Sequence, residues 1–117
     1  MEILGLVFVG TSSAQHAEMG VFCRDVLGMT PVRDSGVTGA LFELPDDSRF
    51  AAVDEWEPGV GGRTIGFLVS DIEQAAAELL AAGTKVDEVQ ENDRQRYVHF
   101  TAPDGLLYEL VEEKDRP

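Results

Sequence analysis

The chain repeats one unit at a fixed spacing, and this repeat limits its possible folds more than any other feature of the sequence. Residues 42–47 (FELPDD) return as residues 100–105 (FTAPDG), and residues 50–55 lie over residues 108–113 at the same offset, 103 − 45 = 58. A repeat of this length is a supersecondary module that cannot bury its apolar face alone. Two copies must therefore pack on each other or on another subunit, and a binding site is expected in the concavity between packed modules.

Length and charge narrow the class of protein. With 117 residues, 44% of them apolar, the chain is expected to form a single domain over residues 1–117. Its net charge of −13 argues against nucleic acid and anionic membranes as partners. The apolar run at residues 3–9 is too short for a secretory signal or a membrane span, and Cys23 is the only cysteine. We therefore expect a cytoplasmic protein without disulfides.

Apolar periodicity predicts the order strand, helix and three strands in each copy. Module one covers residues 1–56, a glycine-rich hinge covers residues 57–62, and module two covers residues 63–113. In module one we predict strands at residues 3–9, 29–33, 40–44 and 49–53, a turn at residues 10–13, and a helix ending before Gly28. In module two we predict strands at residues 63–69, 85–89, 96–101 and 106–111, with a helix that Ser70 or Asp71 caps and that ends before Gly83. The predicted fold class is α+β.

Three segments of the sequence resemble the vicinal oxygen chelate superfamily of glyoxalases, bleomycin-resistance proteins and extradiol dioxygenases. They are residues 22–28 (FCRDVLG), 65–72 (IGFLVSDI) and 103–110 (PDGLLYEL). The resemblance covers nearly the whole chain and implies two tandem βαβββ modules whose curved mixed sheets form a cup around the ligand. Because half-cups with exposed strand edges need cover, we expect a homodimer, although two modules of one chain could also close on each other.

The same resemblance implies where a metal ion would bind. In the family, four ligands come from the first and last strands of the two modules. Here the last strands carry Glu109 and, at the equivalent position, Ala51, while the first strands carry Thr64 and either Leu4 or Gly5. A single carboxylate without imidazole suits neither zinc, iron nor nickel. We therefore expect neither a metal nor another cofactor.

Strand alternation selects the side chains that could line the cup, because residues two apart share a face. His99 and Glu109 fall on one wall and are the candidates for catalytic residues as an acid–base pair, with a structural ion pair as the alternative. Arg49 could instead neutralise Glu109 across the cup, and Trp56 could stack on a planar ligand or serve packing alone. The predicted ligand-binding residues are Thr64, Tyr97, His99, Leu107, Glu109, Arg49 and Trp56.

Three residues outside this set also receive predictions. His16 has no cysteine or histidine near it in sequence and is expected at the surface. Phe8 and Phe67 are expected in the core, at equivalent places under the two helices.

The sequence leaves the function open between different classes. One is a metal-free protein similar to the bleomycin-resistance branch, which binds an organic small molecule in the cup. The alternative is a glyoxalase- or dioxygenase-like lyase or isomerase that acts on a small oxygenated metabolite. A third is an interaction module whose cup is filled by its own side chains. A fold shared by many chemistries does not choose among them.

Overall fold

The computed structural model describes residues 1–33, 35, 37–55, 57–59 and 61–115. In chain order the elements are β1 (Gly5–Ser12), α1 (His16–Asp25), β2 (Thr30–Pro31), β3 (Gly39–Glu43), β4 (Arg49–Val53), β5 (Gly62–Leu68), α2 (Ile72–Ala81), β6 (Lys85–Val86), β7 (Gln90–Glu91), β8 (Gln95–Thr101) and β9 (Leu107–Glu113). The predicted α+β class and the doubled order of strand, helix and strands are confirmed. Within the described residues, no helix is both long enough and apolar enough to cross a membrane.

Contacts divide the chain into two units. The first unit is Phe8–Thr64, and the second unit is Met1–Val7 together with Ile65–Pro117. Each unit contains one helix packed on a mixed sheet that includes an antiparallel hairpin.

The first unit has the strand order β2-β3-β4-β1, with α1 against β3 and β4. The strands β3 and β4 form the antiparallel hairpin, and β1 runs parallel to β4. A methyl group at Gly20 of α1 would meet the Cβ atom of Ala40 at 3.3 Å, so Ala40 faces α1. Leu41 lies one residue further along β3 and pairs with Ala51, and both therefore face the side of the sheet opposite α1.

The second unit has the strand order β5-β9-β8-β6, with β7 also paired to β8. An apolar cluster joins α2 to β8 and β9, and Phe67 and Phe100 pack against it. The buried residues of this cluster are Val69, Ile72, Ala75, Val98 and Leu110. Burial of such side chains is the main favourable contribution to folding, and it fixes which face of the hairpin points toward α2.

Both ends of α2 are capped by hydrogen bonds, and Asp71 serves as the predicted cap, while Glu112 adds a bond that was not predicted. The Asp71 side chain accepts a hydrogen bond from the backbone N–H of Gln74, and Oε1 of Glu112 accepts one from the N–H of Ile72 at 2.9 Å. At the other end, the N–H of Thr84 donates to the carbonyl of Leu79 after a glycine in the left-handed conformation. These bonds satisfy backbone groups that the helix itself leaves unpaired.

The two hairpins have the same pairing register. Leu41 lies opposite Ala51 in the first unit, and His99 lies opposite Glu109 in the second, so both partners match at the offset of 58 (99 − 41 = 58). His99 and Glu109 therefore occupy the positions that an apolar pair occupies in the first unit.

The strand and helix that precede each hairpin match at a smaller offset. Gly10 pairs with Ala51 as Gly66 pairs with Glu109, which gives 66 − 10 = 56. The two helices begin at the same offset, since α1 starts at residue 16 and α2 at residue 72. The connection from helix to hairpin is therefore two residues longer in the second unit (58 − 56 = 2).

The first strand differs from its prediction in two respects. It continues to Ser12, where the sequence predicted a turn, because Thr11 and Ser12 pair with β4. Phe8 lies on the face opposite α1, with its ring over Gly10, whereas Phe67 packs in the core beneath α2. The prediction of equivalent places for these two phenylalanines is wrong, because neighbouring strand positions alternate between faces.

Two further differences concern His16 and the strand predicted at residues 85–89. His16 is half-buried rather than at the surface, and its Nδ1 lies 3.6 Å from Oδ1 of Asp54. Only Lys85–Val86 of the predicted strand is paired, and the unpredicted pair Gln90–Glu91 forms β7.

Candidate functional site

The face of β8 and β9 opposite α2 carries most of the predicted site. Val98 and Leu110 are buried against α2, so alternation puts their neighbours on the other side of the sheet. These neighbours are Tyr97, His99, Leu107 and Glu109, and all four are half-buried. The antiparallel register brings two of them, His99 and Glu109, directly opposite each other.

His99 and Glu109 form a close polar pair. Nε2 of His99 lies 2.9 Å from Oε2 of Glu109, and the two side chains are 29% and 12% exposed. The hydrogen bond with Glu109 raises the pKa of His99 above its ordinary value of 6.5, burial opposes this rise, and the charges of Glu109 and Asp87 add to it. The pair thus favours a protonated imidazole beside an ionised carboxylate.

Each partner of this pair keeps one atom free for a ligand. Among the described residues, Nδ1 of His99 and Oε1 of Glu109 have no hydrogen-bond partner. Neither atom is sealed from solvent, since the described residues contain no buried side-chain nitrogen or oxygen without a partner. A protonated imidazole donates through Nδ1, and a carboxylate oxygen accepts, so the pair presents one donor and one acceptor.

The surroundings of the pair combine aromatic and aliphatic side chains with the polar groups of Gln90 and Asp87. The rings of Tyr97 and His99 pack edge to face, with their centres 5.8 Å apart. The Tyr97 hydroxyl lies 3.5 Å from the side chain of Gln90 on β7. On the same face as Glu109, Val111 is buried, and Gly66, which is the β5 partner of Glu109, has no side chain. Partial burial strengthens hydrogen bonds made here.

The other predicted site residues lie elsewhere in the chain. Arg49 and Thr64 belong to the first unit. Arg49 is half-buried and lies opposite Glu43 in the hairpin register, and the Thr64 side chain is buried. Trp56 lies outside the described residues.

No family model matches the chain, and no curated protein matches it. Among solved structures, methylmalonyl-CoA epimerase from Mycobacterium tuberculosis has a TM-score of 0.70 and 24% identity, over 94% of this chain and 88% of that one. A glyoxalase/bleomycin resistance protein/dioxygenase superfamily member from Vibrio splendidus has a TM-score of 0.64 and 18% identity, over 92% and 97% of the two chains. The chain has the vicinal oxygen chelate fold.

A larger protein with the vicinal oxygen chelate fold also matches. The Mn(II)-bound glyoxalase from Novosphingobium aromaticivorans has a TM-score of 0.70 and 21% identity, over 98% of this chain and 42% of that one. The chain therefore spans less than half the length of this glyoxalase. Identities in this range establish the fold, and proteins with this fold act on or bind small molecules. The activity of this chain has to be argued from the residues of its site.

The donor atoms of this chain do not fit the metal site that the vicinal oxygen chelate fold implies. The first-strand residue equivalent to Thr64 is Phe8, at the offset of 56 that the strand pairing gives. The sequence predicted Leu4 or Gly5 at this position. Phe8 has no ligating atom, and Ala51 has none. Within the described residues, no three His, Cys, Asp or Glu side chains lie together as a metal site requires.

Two neighbours of the pair escaped the sequence analysis. Gln90 lies beside Tyr97 on β7, and Asp87 donates its backbone N–H to the carbonyl of His99 at 2.9 Å. Both lie in the connection between α2 and β8: Asp87 falls inside the strand predicted at residues 85–89, where it faces no apolar pattern of its own, and Gln90 follows directly after that strand. The turn-forming residues that follow, Asn92 and Asp93, are the only local signal that a strand ends nearby.

Proposed function

We propose that this chain binds a small organic molecule on the face of the second unit opposite α2, with His99 and Glu109 as its polar anchor. The supporting observation is a half-buried charged pair that keeps one free donor and one free acceptor in partly apolar surroundings. Sites for small molecules typically combine apolar walls with a few convergent polar groups. Charged groups removed from water are costly unless they are fully hydrogen-bonded, and a ligand would complete those bonds.

The free atoms define the chemistry of the ligand. The protonated imidazole offers Nδ1–H to an oxygen of the ligand, and Oε1 of Glu109 accepts from a hydroxyl or an amide N–H. A carbonyl group next to a hydroxyl would satisfy both atoms at once. Leu107 and the ring of Tyr97 would contact the remainder of the molecule, which favours an apolar or aromatic portion. The proposed ligand is therefore an oxygenated organic molecule with an apolar part.

Within this proposal, the chain resembles the bleomycin-resistance branch more than the metal-dependent branches. Glu109 has an imidazole as its partner, and the equivalent positions Ala51 and Phe8 offer no ligand for a metal. Contributions from Thr64, Arg49 and Trp56, homodimer formation and a cytoplasmic location remain predictions.

A second candidate function is catalysis by the same pair. An acid and a base 2.9 Å apart favour it, because Glu109 could take a proton from a carbon next to a carbonyl while protonated His99 donates to the carbonyl oxygen. A lyase or isomerase acting on a small oxygenated metabolite needs those two proton transfers. One oxygen of the Glu109 carboxylate is already engaged by His99, and for this reason binding without turnover is the first proposal.

Binding to matched variants tests the proposal. Oxygenated aliphatic and aromatic compounds are screened by ligand-detected NMR, and those that bind are titrated by calorimetry. The variant His99→Leu/Glu109→Ala copies Leu41 and Ala51, a pair that the fold already accommodates. Loss of two charge-assisted hydrogen bonds should weaken binding about tenfold or more. The control Glu88→Gln removes one exposed negative charge in the same unit and should bind normally.

Three results test the site assignment and decide between the two candidate functions. Equal binding to the wild-type protein and to the double variant contradicts the site assignment. If a bound compound is recovered unchanged after long incubation, the binding protein is favoured. If a product forms, and Glu109→Gln abolishes its formation while the far-UV circular dichroism spectrum stays unchanged, the enzyme is favoured.

A further inference from the structure

The first unit contains a cavity that is separate from the His99 and Glu109 pair. Its volume is about 360 Å³, and it lies between α1 and the strands β2 and β3. The residues that matter for the argument are His16, Gly20, Arg24, Pro31, Ala40 and Phe42. A volume of this size is at the lower end of the range of about 300–1,000 Å³ typical of small-molecule sites.

Substitution of smaller or polar residues for core residues creates this cavity. In the second unit, the corresponding positions hold Ile72, Ala76 and Val98, which are buried between α2 and the sheet. In the first unit they are His16 and Gly20, at the offset of 56, and Ala40, at the offset of 58. The space between helix and sheet is therefore filled by side chains in the second unit and open in the first.

The cavity is open to solvent and leaves apolar side chains in contact with water. Protein interiors are close-packed, and lining atoms without neighbours lose both dispersion contacts and burial. Val21 and Pro31 line the cavity and are exposed, whereas Phe42, which also lines it, is buried. A bound apolar molecule would restore the missing contacts.

His16 gives the cavity a defined polar group. Its Nδ1 lies 3.3 Å from the carbonyl oxygen of Ser13 and 3.6 Å from Oδ1 of Asp54. Both neighbours are acceptors, so the hydrogen of a neutral imidazole belongs on Nδ1 and leaves Nε2 as an acceptor. Among the described residues, Nε2 has no partner.

The charges around the cavity favour an uncharged ligand. The Arg24 guanidinium makes two hydrogen bonds to the carboxylate of Asp25, at 2.7 and 3.1 Å, and its charge is thereby balanced. Asp54 lies behind His16, and the chain carries a net charge of −13. An anion would meet net repulsion here, whereas a neutral hydroxyl can donate to Nε2.

We propose that this cavity is a second ligand site, which binds a small uncharged aromatic molecule with one hydroxyl group, of the phenol class. The hydroxyl donates to Nε2 of His16, and the ring packs against Phe42, Ala40 and Pro31. A cavity of about 150 Å³ already holds benzene, so this one has room for a substituted ring. The site is independent of the function proposed for His99 and Glu109.

Phenol itself is the probe for the test. The protein is titrated with phenol, toluene and benzoate, and amide shifts are followed by two-dimensional NMR. We expect saturable phenol binding with the largest shifts in α1 and β3, weaker toluene binding, and the weakest binding by benzoate. Absence of saturation with phenol, or benzoate binding tighter than phenol, would overturn the proposal.

Variants that copy the second unit locate the site. Ala40→Val introduces the residue found at position 98 and should weaken phenol binding about tenfold or more. His16→Ile introduces the residue found at position 72 and should remove the preference for phenol over toluene, so it tests the hydrogen bond even if Ala40→Val fails to fold. His99→Leu/Glu109→Ala should leave phenol binding unchanged. Unchanged binding by folded Ala40→Val, or phenol binding lost with the His99 and Glu109 pair, refutes the assignment.

Discussion

Replacing His99 by leucine and Glu109 by alanine, singly and together, tests the coupling between them by a double-mutant cycle. His99→Leu leaves a carboxylate that is only 12% exposed without its partner, and we expect a loss of about 2 kcal/mol in the free energy of unfolding. Glu109→Ala leaves an imidazole that is 29% exposed and can reach water, so the expected loss is about 1 kcal/mol.

The double variant should lose less than the two single variants together. It removes both charges and leaves an apolar pair like Leu41 and Ala51, so we expect a loss of no more than about 1 kcal/mol. The coupling free energy is then about 2 kcal/mol, which is within the range for residues in contact. Urea unfolding at about pH 6, followed by far-UV circular dichroism, measures all four proteins.

The coupling should also depend on pH in one direction. The pKa of His99 is raised in the folded protein, so its contribution to stability is complete below the ordinary value of 6.5 and is lost as pH rises through the folded pKa. The coupling should therefore shrink on going from about pH 6 to about pH 9. The same cycle on the exposed pair Arg24 and Asp25 serves as a control and should show no measurable coupling. Additive single effects, or a coupling independent of pH, would refute the reasoning.

Three simpler substitutions test the framework around the site by chemical unfolding. Leu110→Ala removes a buried core residue and should cost about 2–5 kcal/mol; a cost below about 1 kcal/mol contradicts its place in the core. Asp71→Ala removes the side-chain cap of α2 and should cost about 1 kcal/mol, whereas Asp71→Asn keeps a capping oxygen and should cost less. Gly39→Ala would put a Cβ atom 2.3 Å from the carbonyl oxygen of Ala52 at a φ of 134°; a loss of about 1–3 kcal/mol is expected, and unchanged stability argues against this close approach.

Local patterns were enough to predict the second hairpin and α2. The turn residues Pro103 to Gly105 separate two apolar strands, and Asp71 precedes the apolar spacing of α2, so each element carries its own signal. Alternation along those strands also predicted that His99 and Glu109 share a face, and the register brings them opposite each other. The sequence predicts these elements because the interactions that determine them join residues close together along the chain. The shared face follows from the two-residue period of a strand.

Tertiary contacts decided the features that the sequence analysis missed. Ser12 belongs to a strand because β4 supplies hydrogen-bond partners, although its neighbours favour a turn. His16 was expected at the surface because its partner Asp54 lies far away in the sequence. The cavity beside it depends on the absence of side-chain volume at Gly20 and Ala40, and small residues alone predict no cavity until the register is known.

The extra length between α2 and β8 has a consequence for how this protein could change over evolutionary time. The segment is two residues longer than its counterpart in the first unit although the two hairpins have the same register, so the fold accommodates both lengths. It also carries Gln90, whose side chain lies beside the Tyr97 hydroxyl next to His99. Substitutions at Gln90 can therefore alter ligand preference without changing the residues of the hairpin formed by β8 and β9. Selection for a new ligand can therefore act on this connection while His99 and Glu109 stay in place.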